Sequence, residues 1–229
     1  MEIVFVRHGE PAWIDEGRGR IDPRLTERGL RQAELVAERF ASERRPVTEL
    51  IVSPSRRARE TVAPIAARLD LTPSVIDDLT ELKLPRAWED APPTDVVHTL
   101  LAARSRPLDQ WWDGLEGGES FRTFHVRVTN AIEAILRERG IERDAGPGPH
   151  AARMPEEGGR IVIVAHGGTN AVALGHLLGL PPAPWEWERL ALGHASIARV
   201  RVLRLGEGCV FSLRTMNDVE HLPRELRTG

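Results

Sequence analysis

The sequence predicts an α/β fold: a three-layer α/β/α sandwich with a mostly parallel central sheet and an inserted helical cap. Three observations predict it. Short apolar runs at residues 2–6, 50–52 and 160–165 alternate with longer segments of helical period. Those runs are continuous rather than alternating, as in strands buried on both faces. The alternation is broken once, over residues 82–118, by a proline- and tryptophan-rich stretch. At 229 residues and 41% hydrophobic content, the chain reads as one domain over residues 1–229 with enough apolar surface for a core.

Residues 2–6, Glu-Ile-Val-Phe-Val, read as a first buried strand. Residues 26–40 follow as a helix with Leu30, Ala33, Val36, Ala37 and Phe40 on one face, Thr26 as N-cap and Glu27 in the first turn. Leu50-Ile51-Val52 is a second strand, and Ser53-Pro54 supplies a cap and a first-turn proline for a helix reaching about residue 69. Residues 73–76 make a third short strand. Residues 82–118 hold four prolines, Trp88, Trp111 and Trp112, and one helical patch at 94–103, and read as a cap over the sheet. Residues 119–139 form a long amphipathic helix with Phe121, Phe124, Val128, Ala131, Ile132 and Ile135 on one face. The Gly/Pro-rich residues 140–159 read as a flexible surface loop. Residues 160–165 are a strand that ends on His166-Gly167-Gly168 and leads into a helix to about residue 178. Residues 195–205 and 210–214 close the sheet.

Composition narrows the function. A formal net charge of −3 argues against a nucleic-acid partner, which calls for a basic excess. No apolar run approaches the roughly 18 residues of a membrane helix. The first residues are strand-like rather than a basic segment with an apolar signal core, so no membrane partner and a cytoplasmic location are expected. A single cysteine, Cys209, excludes an intrachain disulfide and disfavours a cysteine zinc site. The eight histidines show no His-x-His or His-Glu-x-x-His spacing, and neither a metal nor another cofactor is expected. Of 31 basic residues only Lys83 is a lysine, a bias that makes any one arginine weak evidence by itself. A homodimer formed through a strand edge or residues 181–187 is compatible with the pattern.

Three strand ends make the same chemical demand: Val6-Arg7-His8-Gly9-Glu10, Val52-Ser53-Pro54-Ser55-Arg56-Arg57 and Ala165-His166-Gly167-Gly168. In a parallel sheet these carboxyl ends share the edge where open α/β folds bind ligands. Arg56, Arg57 and Arg59 occupy the opening turns of a helix whose N-terminus already carries about half a positive charge, a placement that a bound anion would reverse. Gly9, Gly167 and Gly168 let backbone approach such an anion. Taken singly, each feature also has a plainer reading: codon bias for the arginines, a core histidine for His166, turn chemistry for the glycines. Two histidines and two arginines crowded on one edge without a counter-charge are costly, which favours the joint reading.

Arg7-His8-Gly9-Glu10, Leu25-Thr26-Glu27-Arg28-Gly29 with Gln32-Ala33, Ser53-Pro54 with Arg57-Ala58 and Thr61, Leu79-Thr80-Glu81, Gly118-Glu119-Ser120 and His166-Gly167-Gly168 follow one another over nearly the whole chain. Together they resemble the histidine phosphatase superfamily, the family of phosphoglycerate mutase and its phosphatase relatives, on the phosphatase side. The resemblance implies a phosphohistidine on His8, whose other ring nitrogen would donate to a backbone carbonyl near Gly9. It implies that Arg7, Arg57 and His166 act in catalysis and bind the phosphate, His166 as a protonated or donating partner, with Gly167 and Trp13 as further substrate-binding residues. Glu81 matches the family's general acid, with Asp77 and Asp78 as the alternatives.

Glu10, Glu119 and Arg127 receive no catalytic role: the helix dipole accounts for Glu119, and solvent exposure or a salt bridge for Arg127. Where mutases of the family carry a threonine and then an asparagine, this chain has Pro11 and Ile14, which cannot hold a second phosphate. The expected function is therefore a metal-independent, histidine acid phosphatase-like hydrolase of a small organic phosphate. A phosphoglycerate mutase-type phosphotransferase and a non-catalytic phospho-ligand sensor are the alternatives. Gly193-His194-Ala195-Ser196 departs from the asparagine-containing turn expected there. The cap, through Trp88, Trp111 and Trp112, is expected to shape the pocket toward a substrate with a hydrophobic or aromatic part.

Overall fold

The structure is a computed structural model and describes residues 1–142, 150–151, 159–206 and 208–229. Strand β1 (Glu2–Arg7) is followed by a small hairpin, β2 (Ile14–Asp15) and β3 (Arg18–Gly19), then α1 (Glu27–Ser42), β4 (Glu49–Val52), α2 (Arg56–Leu69) and β5 (Ser74–Val75). The 82–118 stretch contains α3 (Pro93–Arg104) between two 3-10 turns, Arg86–Trp88 and Leu108–Asp113. After it come α4 (Phe121–Arg137), β6 (His150–Ala151), β7 (Arg160–Ala165), α5 (Gly167–Leu177), α6 (Glu186–Arg189), β8 (Ile197–Leu205) and β9 (Gly208–Asp218). Of the loop expected at 140–159, residues 143–149 and 152–158 lie outside the described residues.

Seven of the nine described strands form one sheet in the order β5-β4-β7-β1-β8-β9-β6, and β2 and β3 pair separately. The β5-β4-β7-β1 half is parallel, and β8, β9 and β6 extend it antiparallel. Because successive strand residues face opposite ways, the continuous apolar runs supply both covering layers. Ile3 and Phe5, with Ile161 and Ile163, pack under α4 and α5, while Val4 and Val6, with Val162 and Val164, pack under α1 and α2. Among the described residues no helix is long and apolar enough to cross a membrane.

Two local expectations are corrected. Thr26 does cap α1, its Oγ1 accepting from the Gly29 N–H at 2.9 Å, but Leu30 is 48% exposed and takes no part in the buried face. Ser53 does not cap α2: the cap residue is Ser55, and the carboxylate at the helix start is that of Asp22, which accepts from the Arg56 N–H at 3.0 Å. That side chain supplies at the α2 N-terminus the negative charge that the sequence assigned to a bound ligand.

Candidate active site

Main-chain bonds across the parallel strands bring their ends level: His8 N–H donates to Ala165 O and Ser53 N–H to Val164 O, each at 3.0 Å. Arg7, His8, Ser53 and His166 therefore meet at one edge, with Arg57 supplied by the first turn of α2. Backbone crowding fixes the first turn. A Cβ on Gly9 would lie 2.5 Å from Gly29 O, so this turn and the start of α1 meet only as glycines.

His8 is 3% exposed. Its Nδ1 lies 2.7 Å from Gly9 O, a carbonyl that can only accept, so the proton sits on Nδ1 and the Nε2 lone pair is left for chemistry. Arg57 Nε donates to that Nε2 at 3.2 Å. Burial, and then the Arg57 cation, hold the His8 pKa well below the ordinary histidine value, so the ring is neutral at neutral pH.

His166 is fully buried, its ring centroid 5.2 Å from that of His8. Ser53 Oγ lies 2.8 Å from His166 Nε2 and donates to Ser55 Oγ at 3.3 Å. The His166 Nδ1 has no partner among the described residues, and neither does the buried Arg7 Nε. Burial, and then Arg57, push the His166 pKa well below its ordinary value and disfavour the charged ring. Two unpartnered buried nitrogens within one cationic cluster are costly in a folded protein unless a bound group satisfies them.

Glu81 faces this cluster. Its Oε2 accepts from the Gly168 N–H at 2.8 Å and its Oε1 from the Leu82 N–H at 2.9 Å. A Cβ on Gly168 would come 2.5 Å from Oε1, so glycine is what admits the carboxylate to the start of α5. Neither Asp77 nor Asp78 shares the cleft that Glu81 lines with Arg7, His8, Arg57, Gly167 and Trp13. The Arg57 guanidinium stacks 5.1 Å over the Trp13 ring and reaches Asp22 Oδ1 at 3.3 Å.

Several supporting residues escaped the sequence. His194 Nε2 accepts from Arg7 Nη2 at 3.0 Å and its Nδ1 lies 2.9 Å from Thr228 Oγ1; burial, and then Arg7, lower its pKa to about 4. This neutral histidine props Arg7 where an asparagine was expected, while an asparagine from β9, Asn217, accepts from the Gly193 N–H at 2.8 Å. Arg127 is not a solvent-exposed residue. It grips Glu119 bidentately at 3.0 and 2.6 Å and donates to the carbonyls of Asp78, Thr80 and Glu81 at 2.7, 2.9 and 3.4 Å. Glu119 also accepts from the Lys83 N–H at 3.2 Å, so the pair holds the backbone on both sides of Glu81. Glu10 is tied to Thr26 and Arg28, a clip between the first turn and α1.

The whole cleft, from Arg7, His8 and Arg57 at its floor to the apolar walls, has a volume of about 1080 Å³. Of the three cap tryptophans only Trp88 lines it. Trp112 packs edge-on against Phe121 and Trp111 against Trp185, while Trp187, from outside the cap, joins the wall.

A family model, the histidine phosphatase superfamily (branch 1), matches residues 3–218. The chain is 33% identical over 175 residues to a metal-independent phosphoserine phosphatase of Arabidopsis thaliana, covering 73% of this chain and 64% of that one. It is 31% identical to the probable phosphoglycerate mutase GpmB of Yersinia pestis, over 87% of this chain and 84% of that one. Among solved structures, a mycobacterial glucosyl-3-phosphoglycerate phosphatase in complex with inorganic phosphate superposes with a TM-score of 0.70 at 26% identity, covering 97% of this chain and 99% of that one.

Proposed function

The chain belongs to the histidine phosphatase superfamily, and we propose that within it this protein is a metal-independent phosphomonoester hydrolase that works through a phosphohistidine on His8. The observation that carries the reading is the His8 tautomer: Nδ1–H tied to Gly9 O, with the Nε2 lone pair beside Arg57 in the cleft shared with Glu81.

The His8 Nε2 lone pair attacks phosphorus as the bond to the ester oxygen breaks, and the Glu81 carboxyl passes its proton to that oxygen. Arg7, Arg57 and His166 meet the charge on the equatorial oxygens, where another phosphoryl-transfer catalyst would place a metal ion. Water then attacks the phosphohistidine and gives its proton to the Glu81 carboxylate. The P–N bond breaks, and neutral His8 and inorganic phosphate are restored. Ile14, apolar and 55% exposed on the cleft wall, offers no hydrogen bond to a second phosphate, which favours hydrolysis over mutase chemistry. A cytoplasmic setting and a small organic phosphoester as partner go with this reading.

The experiment is phosphate release from an aryl phosphate with EDTA present, comparing the parent chain with His8→Ala and trapping the phosphoenzyme in acid. Chelator-resistant turnover that disappears in the variant is the expected result. Phosphate appearing on an added sugar acid instead of in water would establish the mutase. Binding of inorganic phosphate with no turnover of any ester would establish a sensor.

A further inference from the structure

We infer that the space above the phosphate is a binding chamber for a large apolar body, so that the preferred substrate is a phosphomonoester of a long-chain or polycyclic alcohol rather than of a hydroxyl-rich sugar acid. The inference rests on the hydrolase reading and deepens it.

Helix α3 forms one wall of this space. It has no buried residue, yet Pro93, Val96, Val97 and Leu100, spaced along one helix face, all line the cleft. A helix that buries nothing of its own normally presents polar residues all round. Here Val97 and Leu100 stand 53% and 42% exposed, facing a cavity instead of a core. The opposing walls repeat the pattern, with Ile14 and Ile21 on the hairpin side and Leu82, Leu84, Trp88 and Trp187 elsewhere.

Of the polar groups on the same walls, Arg20 is bound to Glu89 and Asp90 and Asp22 to Arg56 and Arg57, while Lys83 and Arg86 line the cleft at its solvent-exposed margin. Size points the same way. The whole cleft, phosphate floor included, measures about 1080 Å³, at the upper end of the roughly 300–1,000 Å³ typical of sites for drug-sized ligands and more than a three-carbon phosphate fills. Covering these side chains is favourable in proportion to the apolar area removed from water.

The test is a series of n-alkyl phosphates from ethyl to octyl, each below its micellar concentration. Beyond the first members the leaving alcohols are chemically alike, so kcat/KM reads the chamber alone. It should rise about two- to fourfold per added methylene, the upper figure being full burial of each group. Leu100→Asp, on a helix that contributes nothing to the core, should flatten that slope. The matching n-alkylphosphonates, which cannot be hydrolysed, read the same slope in Kd without turnover. A slope below 1.2-fold, roughly the scatter of such data, in both series overturns the inference; so does 3-phosphoglycerate outperforming octyl phosphate tenfold. Tighter binding of longer phosphonates with no turnover of any ester sustains the chamber and overturns the hydrolase reading instead.

Discussion

Replacing Arg127 by methionine separates catalytic positioning from phosphate binding, because this arginine never reaches the phosphate-sized floor of the cleft. Methionine keeps an apolar stem but removes the fork that holds Glu119 and the carbonyls of Asp78, Thr80 and Glu81. Glu119, whose side chain is 7% exposed, is left as an uncompensated buried carboxylate, a defect worth about 3–5 kcal/mol. Adding Glu119→Gln should recover much of that stability.

Activity should not recover with it. A positioned general acid is worth about 10²–10⁴-fold, and misplacement by an ångström costs about 10²-fold. That loss applies only where the departing alkoxide needs a proton. In Arg127→Met, with or without Glu119→Gln, kcat/KM for octyl phosphate should fall by about 10²-fold. The value for p-nitrophenyl phosphate, whose phenolate leaves unprotonated, should stay within about threefold, which is 0.7 kcal/mol at RT ln 3. The assay compares kcat/KM because it covers only the steps through alcohol release. Equal losses on both substrates would refute the argument, since they would show that Arg127 supports the fold or phosphate binding and not the acid.

Gly168→Ala should leave the melting temperature nearly unchanged, because its Cβ meets only the movable end of Glu81, yet should reproduce the selective loss on alkyl esters; unchanged alkyl turnover would mean the carboxylate is not held where it acts. Asp22→Asn removes an anion beside Arg57, so inhibition by inorganic phosphate should tighten several-fold, and a weaker inhibition constant would show that Asp22 helps to organise the phosphate site. His8, His166 and His194 all have pKa values lowered by burial, so the folded protein resists protons that the unfolded chain takes up at about 6.5. Their stabilisation is complete above pH 6.5 and is lost as the pH falls, by about 2 kcal/mol per histidine between pH 6.5 and 5, and for His194 until its pKa near 4 is reached. Urea midpoints at pH 7 and 5 measure it, and equal midpoints would contradict the burial of neutral rings. For the same reason kcat/KM should show no ionisation near 6.5 that belongs to His8.

The parts of the fold set by short-range chemistry were legible. Continuous runs such as residues 160–165 can only be strands with two buried faces, and Thr26 caps its helix as its residue type predicts. The strand-edge convergence followed from parallel topology alone. What stayed hidden depended on long-range partners. Ser53 looked like a helix cap because its competing partner, His166, is 113 residues away, and for Arg127 a salt bridge was legible as an alternative but not its further partners, because the carbonyls it binds belong to a turn some 47 residues earlier. Leu30 sits at a core period and still faces water, since periodicity marks a face without saying what covers it. Which cap tryptophans pack and which line the cleft has the same origin: Trp111 and Trp112 found aromatic partners in Trp185 and Phe121 that no local pattern announces.

Strands β1 and β7 begin at the Glu2–Arg160 ion pair, closed at 2.6 Å, and end at His8 and His166, about 20 Å away at 3.3 Å per residue. The two strands thus behave as a pair of matched rulers between a buried ionic anchor and the reacting rings. A substitution along them changes packing, but one inserted or deleted residue would carry the error to both ends at once, turning every core side chain over and setting the two histidines out of step. Variation in length should therefore be confined to the hairpin and the cap, which leaves the family's chemistry fixed while the chamber above it is free to be rebuilt for another alcohol.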